Sequence, residues 1–295
     1  MATLREVRSR ISGVKKTQKI TKAMKMVAAA KLRRAQRGVV SARPYALKMK
    51  ELLQYLAGSG EEVANPFLVS REIGAVALLV VTSDRGFCGG FNSNLVKAAV
   101  NHIDTSYAEL RKRGKIVLTC IGKKGYDFFS KRGYPIRKKY IGVFNKLEFG
   151  HAQTIVADVI EGYQKKEYDR VVVMYNEFKS MTQQRIVIDQ FLPVVAEQAP
   201  EGKAAVPTDY IYEPSRAEIL AALVPRHLNF QLWRILLESN AAEEGARMAA
   251  MENATTNANE MIETLQLQYN KARQAAITKE LLEVVSGAEA LTGEE

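Results

Sequence analysis

The sequence predicts an α/β fold: a long antiparallel coiled coil of the N- and C-terminal helices plus a central Rossmann-like, mostly parallel α/β domain. Two observations predict the helices. Apolar residues recur at spacings of three and four near both ends, and residues 241–290 contain no proline. A third predicts the sheet, because short apolar segments alternate with helical ones in the middle of the chain. We expect regions at residues 1–57, 73–208 and 209–295.

The first region is expected to be one helix from Leu4 to Ala57. Its narrow apolar stripe, which we call the seam, should continue after a shift. The seam residues are Leu4, Val7, Ile11 and Val14, then Ile20, Met24 and Val27. Pro44 should kink the helix rather than end it, because the helical pattern resumes directly afterwards. Gly58 and Gly60 should end it.

The middle of the chain alternates strand-like and helix-like segments. Residues 75–81 (AVALLVV) are continuously apolar and partly β-branched, which is typical of a strand buried on both faces of a parallel sheet. Further strands are expected at residues 115–121, 134–143 and 170–175, with helices at residues 93–113, 124–131 and 151–166. Residues 184–191 should add an antiparallel edge strand. The alternation predicts βαβ units with right-handed crossovers.

The last region is expected to be a second long helix, after a loop that ends in the extended piece 210–212. Ser215 should cap it, with Glu218 at the capping-box position, and Pro225 could kink its first turns. Its seam comprises Ile262, Leu265, Tyr269, Ala272 and Ala276, then Ile277, Leu281, Val284 and Ala288 one position on. From Ser215 the helix would be roughly 105 Å long at about 1.5 Å per residue. We therefore expect it to project from any compact domain.

Composition excludes several classes of protein. No apolar run is long enough to span a membrane. The two cysteines, Cys88 and Cys120, are far apart and in no metal-binding spacing, which favours a reducing compartment. The arginines near the start superficially suit a mitochondrial transit peptide, but Leu4 and Val7 are already in helical register with the apolar residues after them. We therefore interpret the start as mature protein.

The charge is divided unevenly along the chain. Residues 1–57 contain 15 Lys and Arg against 2 Asp and Glu, whereas residues 215–295 contain 7 against 12. Opposite charges suit two helices that lie side by side. The basic excess of the first helix also predicts a partner, either nucleic acid or an acidic protein surface. No aromatic residue occurs before Tyr45 to interleave with the basic residues, so protein is at least as good a candidate.

Residues 83–92 (SDRGFCGGFN) form a glycine-rich turn between a strand and a helix, where phosphate-binding loops occur. The turn matches neither G-x-G-x-x-G nor G-x-x-x-x-G-K-[ST], and no lysine is placed to reach a phosphate. We favour a tight, closely packed turn over a nucleotide site. Cys88 as a nucleophile is weaker still, because no base is near it in sequence.

Three blocks together resemble one family, the gamma subunit of F-type ATP synthases. They are residues 17–31 (TQKITKAMKMVAAAK), residues 83–92, and residues 269–281 (YNKARQAAITKEL) continuing into 286–288 (SGA). The likeness covers essentially the whole chain in the same order. It implies a non-catalytic subunit without cofactor or metal: a rotor shaft coupling proton flow through the membrane ring to ATP synthesis and regulating the enzyme. The inserted cysteine pair of plastid members is absent, so no thiol switch is expected.

The resemblance also implies partners and contact residues. The shaft would enter a ring of three alpha and three beta subunits, while the α/β domain would bind epsilon and rest on the ring of c subunits. It would lie peripherally on the cytoplasmic face of the bacterial inner membrane. The rotor-to-beta contacts, some of which could instead tie the shaft together, would be Met24, Lys25, Arg247, Arg273, Gln274, Thr278 and Glu280. The foot on the c ring would be Tyr210, Tyr212 and Glu213.

Two other interpretations stay open from the residues alone. The first is a nucleic-acid-binding coiled coil with an α/β body, and salt-dependent binding to duplex DNA would favour it. The second is a nucleotide-dependent enzyme, which a bound dinucleotide would favour.

Overall fold

The computed structural model describes residues 3–58, 65–180, 183–194, 213 and 215–292. The chain divides into two compact units. The first, called the helix-pair unit, combines Met1–Val27 with Met248–Glu295, and the second, called the sheet unit, comprises Ala28–Arg247. In the described segments, no helix combines the length and apolarity needed to cross a lipid bilayer.

Both predicted long helices are present. Helix α1 spans Leu4–Gly58 and helix α6 spans Arg216–Thr292, which is 77 residues. The prolines Pro44 and Pro225 lie inside these helices without ending them. The predicted cap of α6 is also present, because the Glu218 amide donates to Ser215 Oγ at 3.3 Å.

The sheet has five strands in the order β3-β2-β1-β4-β5. Their bounds are β1 Val76–Val81, β2 Ile116–Ile121, β3 Ile136–Tyr140, β4 Arg170–Phe178 and β5 Gln184–Leu192. Strand β1 pairs in parallel with β2 and β4, and β2 pairs in parallel with β3. Strand β5 runs antiparallel to β4 at the edge. The fold class and the antiparallel edge strand are therefore confirmed.

Four shorter helices connect the strands: α2 Phe91–Ser106, α3 Ala108–Lys112, α4 Lys123–Lys131 and α5 Phe149–Gln164. The prediction of one helix over residues 93–113 is wrong. Tyr107 leaves helical geometry at φ −133°, and its buried ring packs edge-on against His102. Strand β3 is shorter than predicted, because Gly142 adopts a left-handed φ of 86° and begins a 3-10 turn.

The core lies on both faces of the sheet, and β1 shows why its sequence is apolar at every position. Ala77, Leu79 and Val81 belong to the cluster that contains α5 and the first half of α6. Val76, Leu78 and Val80 belong to the cluster that contains α2 and α4. All six residues of β1 are buried, so no position can be polar without an internal partner.

The turn after β2 requires glycine for two independent reasons. Gly122 has a φ of 97°, and a Cβ atom built there would lie 2.0 Å from the Thr82 carbonyl oxygen. The close approach of this turn to Thr82 allows a further contact, in which the Thr82 hydroxyl accepts a hydrogen bond from the Gly125 amide at 2.8 Å. The ends of β1 and β2 are thus held together by direct backbone packing.

We predict that Gly122→Ala lowers the free energy of unfolding by about 3 kcal/mol or more, because backbone strain and a backbone clash add. Gly114→Ala separates the two causes, since Gly114 has a φ of 66° but no atom within 4 Å of an added Cβ. Gly150→Ala, in open space in α5, controls for the substitution itself. Urea titration of the three full-length variants measures the effect. Equal losses for Gly122→Ala and Gly114→Ala would contradict the clash.

Candidate functional site

The helix-pair unit packs the two long helices antiparallel along a heptad seam. The seam positions of α1 are buried or half-buried at alternating spacings of three and four: Leu4, Val7, Ile11, Val14, Gln18, Thr21 and Lys25. Those of α6 have the same spacing: Met251, Thr255, Ala258, Ile262, Leu265, Tyr269, Ala272 and Ala276. The predicted seam from Ile262 to Ala276 is therefore correct.

The predicted continuation of the α1 seam through Ile20 and Val27 is wrong. Their side chains are 59% and 57% exposed, and only Met24 of the three predicted residues is half-buried. The heptad spacing continues without a shift, which places polar Gln18 and Thr21 in the seam instead. Apolar periodicity could not reveal this, because the residues that keep the register are polar.

Three consecutive seam residues of α1 form polar contacts with α6, either with a seam residue or with the exposed residue next to one. The Gln18 side-chain amide donates to the Asn259 side-chain oxygen, Thr21 Oγ1 lies 2.8 Å from Thr255 Oγ1, and Lys25 forms an ion pair with Glu252. Polar seam residues commonly fix the register of coiled coils at some cost in stability. These pairs therefore align the two helices in the helix-pair unit.

Among the described residues, none of α1 lies beside the end of α6. Residues 25, 21 and 18 of α1 contact residues 252, 255 and 259 of α6. Because the helices are antiparallel, the start of α1 at Leu4 lies near residue 273 of α6. Beyond that level the apolar side chains are exposed by 49% to 69%: Ile277, Leu281, Leu282, Val284 and Val285. A water-exposed apolar cluster of this kind marks an interaction surface.

The glycine-rich turn of the sheet unit is filled by its own side chains. Asp84 accepts hydrogen bonds from the amides of Lys123 at 3.0 Å, Gly142 at 2.9 Å and Phe144 at 3.3 Å. Asn92 accepts from the Ser83 amide at 2.9 Å and donates to Ser83 Oγ at 2.7 Å. The turn is thereby attached to the ends of β1, β2 and β3.

The turn also contacts the start of α4, the helix that follows β2. There the amides of Lys123, Lys124 and Gly125 donate to Asp84, to the Ser83 carbonyl and to the Thr82 hydroxyl. These contacts satisfy amides that the first turn of a helix leaves without an intrahelical partner. The turn is thus closely packed, as the sequence predicts.

Neither cysteine is activated. Burial raises the pKa of Cys88, although a hydrogen bond with Ser83 acts in the opposite direction. Burial also raises the pKa of Cys120 to about 12, so both are thiols at neutral pH and poor nucleophiles. Both are free and buried. Among the described residues, no group of three or more His, Cys, Asp or Glu is placed to hold a metal ion.

Sequence reasoning missed a buried charged cluster in α6. The Arg247 guanidinium lies 2.5 Å from Glu243 and 3.1 Å from Glu244, and it also donates to the Gly86 carbonyl at 3.4 Å. Lys31 of α1 approaches Glu244 at 3.4 Å. Burial raises the pKa of Glu243, although the positive charge of Arg247 acts in the opposite direction. Burial also acts to lower the pKa of Arg247, but the neighbouring Glu243 and Glu244 outweigh burial, so the pKa of Arg247 is raised. The E-E-x-x-R spacing, which places both glutamates within reach of the arginine on one helix face, is the feature of the sequence that could have predicted this cluster.

Comparisons with known proteins agree with one another. The family model described as ATP synthase matches residues 3–291. The ATP synthase gamma chain of Prosthecochloris aestuarii is 53% identical over 99% of this chain and 100% of its own length, and that of Chloroherpeton thalassium is 51% identical over 99% of each.

The chain belongs to the ATP synthase gamma chain family.

Solved structures show the same fold. A chain from the central stalk and c ring of Tetrahymena thermophila mitochondrial ATP synthase matches with a TM-score of 0.60 and 25% identity, covering 80% of this chain and 99% of that one. A chain from the Euglena gracilis mitochondrial ATP synthase, in rotational state 3, matches with a TM-score of 0.69 and 22% identity, covering 99% and 96%. Nothing in these comparisons supports a nucleic-acid-binding protein.

The contact residues expected of a gamma chain fall in three environments. Met24 and Lys25 are half-buried, and Lys25 already has Glu252 as its partner. Arg247 is buried in the sheet unit, so it faces its own chain. The remaining four are exposed on α6: Arg273, Gln274, Thr278 and Glu280. Of the expected foot, Glu213 is exposed, whereas Tyr210 and Tyr212 lie outside the described residues.

We predict that Thr21→Val alone costs about 1 kcal/mol of unfolding free energy, whereas Thr21→Val with Thr255→Val costs less than the two single changes together. The two hydroxyls lie 2.8 Å apart, and each also bonds to a carbonyl of its own helix, Thr255 to Met251 at 2.7 Å and Thr21 to Gln18 at 3.1 Å. Thr17→Val is the control, since that exposed hydroxyl bonds only to the Gly13 carbonyl. A double-mutant cycle by urea unfolding measures the coupling, and additive losses would contradict a paired layer.

Proposed function

We propose that this chain is the central rotor shaft of an F-type ATP synthase, coupling proton flow through the membrane ring to ATP synthesis and regulating the enzyme. The observation that carries the proposal is the unpaired end of α6, where a long helix continues past its partner with apolar side chains exposed. An exposed apolar end of this kind is typical of an interaction surface, which other subunits would cover. We infer that a ring of three alpha and three beta subunits, the partners expected of this family, encloses this end.

The helix pair is suited to this role because its two sides differ in charge. Residues 4–27 contain eight Lys and Arg against one Glu, whereas residues 248–292 contain three against six. Among the described residues Lys15, Lys16, Lys19 and Lys22 form no ion pair, so this side presents unpaired positive charge. Turning such a shaft presents different potentials to identical neighbours in turn. Each catalytic site would change its nucleotide affinity as its contacts change, which is a mechanically driven population shift.

The chain itself would be non-catalytic. The glycine-rich turn matches no phosphate-binding motif, and it has no lysine placed to reach a phosphate. The chemistry would take place in the alpha and beta subunits, and the shaft would act through Met24, Lys25, Arg273, Gln274, Thr278 and Glu280. The sheet unit would bind epsilon and stand on the c ring through Tyr210, Tyr212 and Glu213. The protein would then lie peripherally on the cytoplasmic face of the bacterial inner membrane.

Affinity purification from native membranes tests the assignment. We expect the tagged full-length chain to co-purify alpha, beta, epsilon and c subunits, with proton pumping when ATP is added to membrane vesicles. Purification without alpha and beta would contradict the proposal. Binding to duplex DNA that weakens steeply with salt would indicate a nucleic-acid-binding protein instead.

We predict that Met24→Lys uncouples proton pumping from ATP hydrolysis without unfolding the protein. A lysine added to this half-buried basic position could gain a charge-assisted contact with an acidic beta loop, worth about 1.5–3 kcal/mol if desolvated. That contact would hold the shaft too long in one orientation. Met26→Lys is the matched control, because Met26 is 60% exposed outside the seam. Both activities are measured in vesicles, and parallel loss of both in a fully assembled complex would contradict the idea.

We also predict that the end of α6 tolerates truncation better than its paired part. Removing residues 286–295 should weaken assembly modestly and leave coupled activity, because the unpaired end needs apolarity and length rather than specific contacts. Removing residues 269–295 should abolish coupling, because it removes seam residues and all four exposed contact residues. Assembled complex and ATP synthesis are scored for each end point. Loss of coupling in an assembled complex that lacks only residues 286–295 would identify a specific contact there.

A further inference from the structure

One contact in the sheet unit is not explained by the shaft role alone: the glycine-rich turn touches the middle of α6. We define the turn–helix contact as Gly86, Cys88 and Phe91 of the turn with Ala242, Ala246 and Arg247 of α6. Cys88, Phe91, Ala242 and Ala246 form one buried cluster, with Phe178 packed against it. The Arg247 guanidinium donates to the Gly86 carbonyl at 3.4 Å. It also forms an ion pair with Glu243 of α6 at 2.5 Å.

The turn side of this contact is rigidly attached to the sheet. Asp84 joins it to three backbone amides beyond β2 and β3. The Phe91 carbonyl, at the other end of the turn, accepts a hydrogen bond from the buried Asn176 of β4 at 3.2 Å. The turn is therefore connected to four of the five strands, and it cannot move without disturbing the sheet.

The helix side of the contact is unusually costly for a structural helix. Glu243, Glu244 and Arg247 are each less than 10% exposed, and buried ion pairs commonly stabilise a protein less than apolar residues of the same size would. The contact also lies beyond the carboxyl end of β1, next to the point where the strand order reverses. Open α/β sheets usually bind their ligand there, and in this chain α6 occupies the position.

We propose that the turn–helix contact fixes α6 to the sheet, so that torque delivered to the sheet unit turns α6 without slip. Arg247 is the positioning residue: it connects α6 to the turn backbone and does not need to touch a catalytic subunit. The inference rests on the proposed rotor function and deepens it, because it assigns the glycine-rich signature of the chain to torque transfer within the chain. It also gives the turn, which lies where open α/β sheets usually bind a ligand, a role within the chain.

The first test substitutes Arg247→Met, which keeps the length of the side chain and removes the guanidinium. Arg226→Met is the matched control, because Arg226 is exposed on the same helix. In the assembled enzyme, we expect Arg247→Met to hydrolyse ATP with a lowered yield of pumped protons per ATP, while Arg226→Met equals wild type. If both variants keep the wild-type yield, Arg247 does not transfer torque.

A disulfide distinguishes loss of this contact from general damage to the fold. Ala246→Cys places a second thiol in the buried cluster that contains Cys88, and oxidation should join the turn to α6 covalently. We expect the disulfide to restore the pumping yield of Arg247→Met and reductant to abolish the rescue. The same change in a Cys88→Ser chain is the control. A disulfide that forms, as shown by thiol titration, but gives no rescue would overturn the proposal.

Hydrogen–deuterium exchange of the full-length chain gives a result even if a variant assembles poorly or the disulfide does not form. Arg247→Met should speed exchange of amides in residues 83–92 by about tenfold or more, the effect of losing one charge-assisted hydrogen bond. Unchanged exchange there would overturn the proposal. The proposed function fails separately, if the wild-type chain does not co-purify alpha and beta subunits.

Discussion

The structure depends on one helix, α6, that packs against two different kinds of neighbour along its length. In the sheet unit its buried face is broad and leucine-rich, with Leu220, Val224 and Leu228 fully buried against the sheet. In the helix-pair unit its buried face narrows to a seam in which Ala258 and Ile262 are the most buried residues beyond Met251. A helix that faces a sheet needs a wide apolar stripe, whereas one that faces a single helix needs only two positions per heptad. The change in sequence along α6 follows this change of neighbour.

Ion pairs join the two long helices but contribute little to the free energy of unfolding. Lys25 with Glu252 is half-exposed, and Lys31 is exposed although its partner Glu244 is buried, so solvent screens much of their attraction. Their main effect is on alignment, because a sliding helix would separate Lys25 from Glu252 and Lys31 from Glu244, which would keep only Arg247 of its own helix as a partner. The same uneven distribution leaves a basic surface on α1 that no ion pair of the described residues neutralises. The alignment of the helices and the proposed partner surface therefore come from a single feature of the sequence.

The parts of the fold that sequence reasoning predicted are those in which burial imposes a simple period. Continuous apolar runs mark the bounds of the buried strands β1 and β2, which begin only one residue later than expected. The polar seam layers were missed since Gln18 and Thr21 break the apolar period while keeping the geometric one. The role of Asp84 was also out of reach: its hydrogen-bond donors lie 39 to 60 positions further along the chain. Local patterns predict elements, but they do not predict which distant backbone groups share one carboxylate.

The glycine-rich turn shows why a loop between a strand and a helix does not by itself determine a function. In a phosphate-binding loop the amides at the helix start are left free, and glycines let a ligand approach the backbone. In this chain the turn after β1 instead packs against the start of α4, where it accepts hydrogen bonds from the amides of Lys123, Lys124 and Gly125. The close approach that Gly122 permits serves the Thr82 backbone rather than a ligand. At this position of the fold the turn packs against α6, with Asp84 bonded to the neighbouring turns and Arg247 bonded to the Gly86 carbonyl, so the fold position alone does not assign a ligand.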